Sequence, residues 1–152
     1  MRERGGAWVG AQFVLMALVA VAAVVAPGWP EGAATALRAL GGILVVLGVV
    51  VVGWAMRALG RALTPFPEPL ADAALVEHGP FAHVRHPIYA GALLVFAGIG
   101  LASGPVALGL TGGLALLWIG KIDVEERRLR RRFPGYAAYA ERVPRRIVPG
   151  VF

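Results

Sequence analysis

Residues 87–120 read PIYAGALLVFAGIGLASGPVALGLTGGLALLWIG, and no charged side chain interrupts them. A helix rises about 1.5 Å per residue, so roughly 20 apolar residues cross a hydrocarbon core of about 30 Å. The run is too long for one crossing, and Ser103-Gly104-Pro105 near its middle is a turn signal. It therefore predicts two helices, 87–102 and 105–121, joined as a tight membrane hairpin. Pro87 suits the first turn of its helix, where a missing N–H costs nothing.

Upstream, residues 60–86 carry Pro65, Pro67, Pro69 and Pro80, which exclude a continuous helix and mark the one sizeable polar loop. Before it lie two further apolar runs, giving spans at about 37–58 and 7–27, separated by Pro27, Gly28 and Pro30. The first follows Arg2 and Arg4 and imitates a secretory signal. Its apolar stretch exceeds an h-region of about 7–15 residues, so it reads as a retained helix. Downstream of the hairpin, Lys121 onward is basic and helical up to Pro134, with a short helix around Tyr136 to Arg142, so that C-terminal helices occupy 121–142.

Composition agrees. The 152 residues are 58% hydrophobic with mean hydropathy +0.70, and the apolar residues come in unbroken runs rather than at amphipathic spacing. The expected fold is all-α and integral to the membrane, with four transmembrane helices, a helical C-terminal cytoplasmic segment and one domain over 1–152. The absence of cysteine excludes disulfides, thiolate metal sites and a Cys nucleophile, and no metal site is expected. A net charge of +6 raises nucleic acid as a partner, but the basic residues flank apolar runs, so the lipid bilayer is the expected partner and nucleic acid is not. With the N-terminus cytoplasmic, Arg2, Arg4, Arg57, Arg61, Arg85 and the basic residues from Lys121 to Arg146 all lie inside and only Arg38 outside. The positive-inside rule thus places both termini and the proline-rich loop in the cytoplasm.

Two polar clusters flank the hairpin. At its entry, GPFAHVRHPIYAG (79–91) gathers His83, Arg85, His86 and Tyr89. Read plainly, these are an interfacial belt of anchors. Read chemically, the open N–H groups of a helix start beside Arg85 and His86 favour an anion such as a carboxylate. At its exit stands KIDVEERRLRRRF (121–133). On a solvated helix Asp123–Arg127 and Glu126–Arg130 would pair at i,i+4. A helical wheel instead groups Trp118, Ile122, Leu129, Phe133 and Tyr136 in an apolar stripe, with Glu125 inside it and Glu126 on its edge. A carboxylate there needs a partner or a task. The hairpin brings the clusters together, and Arg85 or His86 is expected to meet Glu125, as a ligand site or as a structural salt bridge.

Residues 64–91, TPFPEPLADAALVEHGPFAHVRHPIYAG, followed by EERRLRRRF (125–133), Tyr136, Tyr139 and VPRRIVP (143–149), resemble the isoprenylcysteine carboxyl methyltransferase family, with its bacterial members and the related phospholipid methyltransferases. The resemblance covers about residues 60–149. Phe133-Pro134-Gly135-Tyr136 is one residue shorter than the family's pattern. It implies an integral-membrane enzyme that binds S-adenosylmethionine without a Rossmann fold, in the inner membrane of a bacterium. It also implies cofactor contacts from Gly79, Pro80, His83, Arg85, His86, Tyr89, Glu125 and Glu126, with Arg85 and Glu126 catalytic. The implied reaction is methyl transfer to a lipophilic acceptor, an isoprenylcysteine-type α-carboxylate; a phospholipid amine or a small thiol is the alternative. A small four-helix transporter or scaffold is the competing class. Between the charged residues at their ends (Arg38, Arg57 and Lys121), the four apolar runs hold no Asp, Glu, Lys or Arg, which counts against a proton-coupled carrier.

Overall fold

The computed structural model describes residues 5–70 and 73–147; Arg2, Arg4 and the Val148-Pro149 end of the last motif lie outside them. All regular structure among the described residues is helical: α1 Gly6–Val25, α2 Glu31–Leu59, α3 Pro87–Ser103, α4 Pro105–Arg132 and α5 Tyr136–Arg142, with 3-10 turns at Gly60–Ala62 and Gly79–Ala82. Three helices are long and apolar enough to cross a membrane, α1, α2 with its following turn, and α4, while α3 is apolar but shorter at 17 residues. The expected four spans therefore correspond to three helices of crossing length and one shorter partner. α2 begins at Glu31, earlier than its apolar run, because Pro30 starts it and Ala and Thr continue the helix without being membrane-like. α4 continues past its last apolar turn at Gly120 into the charged 121–132 segment without a break.

Packing is nested. α2 lies along α3 in the most extensive helix contact, α1 lies on α4, and α3 and α4 join the two pairs. The buried residues of α2 are Ala34, Gly41, Gly48 and Ala55, a small residue at every seventh position. A 3.5-residue repeat keeps one seam facing an antiparallel neighbour at a shallow crossing angle. Opposite stand Gly91 and Gly98. A Cβ on Gly48 would lie 2.5 Å from the Gly91 carbonyl oxygen, and one on Gly98 2.5 Å from that of Gly41. In lipid, such backbone approach substitutes for a hydrophobic driving force. Gly91→Val is expected to lower the melting temperature in detergent, an overpacking cost of about 1–3 kcal/mol. Gly42→Val, where nothing lies within 4 Å, should not.

At one end of the bundle the α1–α2 and α3–α4 connectors meet. Trp29 Nε1 donates to the Leu101 carbonyl at 2.8 Å, and a Cβ on Gly104 would strike the Pro27 carbonyl at 2.5 Å. Between α1 and α4 a core forms from Val19, Ala22 and Ala107, with Phe96, Ile99 and Leu110 against it. Large apolar side chains such as Val24, Val46 and Leu116 face outward, as a bilayer-facing surface requires. The loop 63–82, α5 and residues 143–147 gather at the other end.

Candidate functional site

The site grows from the turn that starts α3. His86 is the N-cap and Pro87 occupies the first helical position, so the side chains of Arg85 and His86 leave the chain just where it enters the bundle. The segment after α5 closes on this turn: the Arg85 N–H donates to the Arg145 carbonyl at 2.9 Å and the His86 N–H to the Arg146 carbonyl at 2.8 Å. Both side chains are buried, and both reach Glu126, which is 3% exposed. Arg85 Nε donates to Glu126 Oε1 at 2.7 Å, His86 Nε2 stands 3.2 Å from the same oxygen, and Arg146 Nη2 lies 3.3 Å from Oε2. Arg85 Nη1 also donates to the Val143 carbonyl at 2.7 Å.

Glu125 faces the other way. Tyr89 Oη donates to its Oε1 at 2.5 Å, with His86 Nδ1 at 3.7 Å and Lys121 Nζ at 3.9 Å. Lys121 donates to Gln12 Oε1 at 2.6 Å and to the Pro65 carbonyl at 2.8 Å, while Trp118 Nε1 donates to the same Gln12 oxygen at 3.3 Å. These groups border a cavity of about 440 Å³. Arg85, His86, Tyr89, Lys121 and Glu125 supply its polar wall, and Phe81, Trp118, Phe133, Tyr136 and Tyr139 its aromatic one. Met16 of α1 and Met56 of α2 border it on the apolar side. Tyr139 Oη donates to the Phe81 carbonyl at 2.8 Å. Tyr136, 1% exposed, has a hydroxyl with no hydrogen-bond partner among the described residues.

The two glutamates lie beyond Gly120, in the charged extension of α4, and their environments diverge. Burial alone would raise the Glu126 pKa, but hydrogen bonds from His86 and Arg85 and the guanidinium charge outweigh it and hold the carboxyl at about 2. Burial dominates at Glu125 and raises its pKa, although His86, Tyr89 and Lys121 oppose the shift. Burial also raises Tyr136 and moves Tyr139 up to about 12, so both remain neutral donors.

Of the residues singled out from the sequence, Arg85, His86, Tyr89 and Glu125 come together on the cavity wall, with Glu126 paired behind it. Gly79, Pro80 and His83 stand apart from that wall. The 3-10 turn points Phe81 into the cavity and packs Gly79, at φ +61°, on Trp54 and Ala58; Pro80 is buried, and His83 is exposed with its ring 6.3 Å from that of Trp54. Glu126, placed on the stripe's edge by the wheel, is the more buried carboxylate, because its cover comes from Arg85 and residues 143–147 rather than from its own helix. The i,i+4 expectation gives way likewise: Asp123 pairs with Arg146 at 2.8 Å, and Glu126 with Arg85. Lys121, Gln12, Tyr136 and Tyr139 join the site without having been expected there as ligand contacts. The only signals they gave were a polar residue within the first apolar run, a lysine at the end of the last one, and a Tyr-x-x-Tyr spacing.

This fold and site define a small helical membrane protein with a polar, ligand-sized cavity at one end of its bundle. The model of the phospholipid methyltransferase family matches residues 36–135. That is most of the chain, from α2 through α4, and the protein belongs to this family of membrane methyltransferases. The cobalt-zinc-cadmium resistance protein CzcN of Cupriavidus metallidurans is 38% identical over 72 residues, 46% of this chain. The matched part spans 33% of that relative's length.

Proposed function

We propose that the protein is an S-adenosylmethionine-dependent methyltransferase of the bacterial inner membrane, acting on a lipophilic acceptor with an isoprenylcysteine-type carboxylate head. In this reading α3 is a fourth crossing, both termini are cytoplasmic, and the cavity opens at the cytoplasmic end. The observation that carries it is the donor set of the cavity, which matches the cofactor's unlike charges. A buried carboxylate and a wall of aromatic faces suit an ammonium or sulfonium, while a helix start with Arg85 and His86 suits a carboxylate. The unpartnered Tyr136 hydroxyl is a buried donor awaiting an acceptor.

When bound, S-adenosylmethionine supplies an electrophilic methyl group on a positively charged sulfur. The chain's own residues hold, orient and keep dry. Glu125, fixed by Tyr89, holds positive charge. Arg85 stays clamped by Glu126 and the Val143 carbonyl, so its free edge is presented in one orientation. Residues 63–67, residues 73–76 and α5 line the cavity, and in this reading they keep water from it. An in-line displacement by an acceptor that is already anionic needs no base, so positioning is the main task.

Calorimetry on the detergent-purified protein should show binding of S-adenosylmethionine at micromolar levels. A wild type that binds none sinks the enzyme reading. A labelled-methyl assay with farnesylcysteine analogues, lipid amines and small thiols then decides the acceptor.

A further inference from the structure

The cavity holds a cation that the cofactor does not account for. Lys121 is 1% exposed and is one of the residues that border the cavity. Of its three N–H groups, two are taken by Gln12 Oε1 and the Pro65 carbonyl. The carboxylate available to the third, Glu125 Oε1, is 3.9 Å away, beyond hydrogen-bond reach. Tyr89, whose ring centre lies 5.5 Å from Nζ, gives its hydroxyl to Glu125. The third N–H is thus left to the Tyr89 ring face and to an ion pair too long for a hydrogen bond, so an oxygen brought within reach would be a stronger partner for it.

Its position names the supplier. α1 and α2 are consecutive but pack on different partners, α1 on α4 and α2 on α3. Met16 and Met56 therefore face the cavity from helices that are not packed as a pair. Thioether side chains adapt to irregular apolar shapes, which suits a branched hydrocarbon tail. Lys121 and Gln12 border the same cavity as these methionines and Glu125.

We propose that Lys121, steadied by Gln12, holds the anionic head of the acceptor, so that this site selects a carboxylate over an amine. This rests on the methyltransferase reading, which already takes the acceptor as a carboxylate, and adds the residue that holds and selects that head. A carboxylate oxygen takes the third N–H. An amine head would bring a second cation beside an ammonium whose nearest carboxylate already serves Tyr89. In the transfer, a lone pair of the acceptor carboxylate forms the O–CH3 bond as the C–S bond breaks, and that bond's electrons stay on sulfur. One anion and one sulfonium become a neutral ester and a neutral thioether, and no proton moves. Turnover thus removes the charge by which Lys121 holds the acceptor, and the ester is released.

The test is calorimetry in detergent with S-adenosylhomocysteine present, comparing N-acetyl-S-farnesylcysteine with its carboxamide. The wild type should bind the acid about tenfold or more tightly than the amide. Lys121→Met and Gln12→Glu should bring the ratio close to one, the latter because a new carboxylate satisfies the ammonium while leaving it in place. Lys121→Arg should retain most of the preference. Each ratio is taken at saturating S-adenosylhomocysteine, whose affinity is measured separately for every variant. A lysine that serves only as a strut would lower the melting temperature on removal and leave the acid-to-amide ratio unchanged. That result, or a wild-type ratio of one with S-adenosylhomocysteine bound, overturns the assignment, as does displacement of the acid by dioleoylphosphatidylethanolamine. Where Lys121→Met does not fold, Gln12→Glu decides. Failure of the underlying reading is separate: the wild type would bind no S-adenosylhomocysteine.

Discussion

Glu126→Ala is expected to cost the fold about 3–5 kcal/mol and to leave little folded protein in detergent, read by thermal melting and by size-exclusion recovery. The reason is what remains, more than what is lost. Arg85 is buried and always charged, and without Glu126 its Nε has no anion within reach. Arg146 loses its 3.3 Å contact as well, so the pairing of residues 145–146 with the start of α3 weakens. Acid should act the same way. The folded pKa of Glu126, about 2, lies below the roughly 4.3 of an unfolded glutamate. The stability this group contributes is therefore fully present above about 4.3 and is lost as pH falls from there toward 2. Melting temperatures that already fall between pH 7 and 5 in proportion to Glu126 protonation would contradict the clamp.

Glu125→Gln should produce the opposite pair of results. The variant is expected to melt no lower than the wild type while losing about 10–100-fold in affinity for S-adenosylmethionine. Burial raises the Glu125 pKa, so its ionised form is held at a cost, and the isosteric amide relieves that cost while keeping an oxygen for the Tyr89 hydroxyl. Calorimetry with the melting curve measures both quantities on one sample. Unchanged affinity in Glu125→Gln would remove Glu125 from the ligand site. The raised pKa adds an order of events: on acidification, ligand affinity should fall before the Glu126 clamp fails.

The hairpin was legible in the sequence because charge-free length and Ser-Gly-Pro are local properties. So was the meeting of the Arg85-His86 turn with the Glu pair, since a hairpin must bring its two ends together. The assignment of burial between Glu125 and Glu126 was not legible. A helical wheel counts neighbours on one helix, whereas Glu126 is covered by the α3 turn and by residues 143–147. Gln12 is a lone strongly polar residue in an apolar run, and its partners Lys121 and Trp118 are separated from it by most of the chain. The small residues at 34, 41, 48 and 55 do not stand out in an Ala- and Gly-rich run. Their seven-residue period acquires meaning only beside Gly91 and Gly98, whose carbonyls come too close for a side chain. Gly79, Pro80 and His83 lie close in sequence to Arg85 but are turned toward α2, which spacing alone does not reveal.

The nested pairing of helices also sets a timetable. A ribosome delivers α1 first, but the helix that α1 packs on is α4. Until Trp118 and Lys121 emerge, Gln12 sits in an apolar helix without the two donors it serves in the finished protein. α2 and α3, by contrast, are neighbours in synthesis and carry matching glycines, so they can zip together as α3 arrives. The α2–α3 pair can therefore form before α4 exists, whereas α1, which also touches α3, gains its main partner only with α4. The cavity, which is lined by Gln12 from the first helix and by Tyr136 and Tyr139 from the last, is complete only after that.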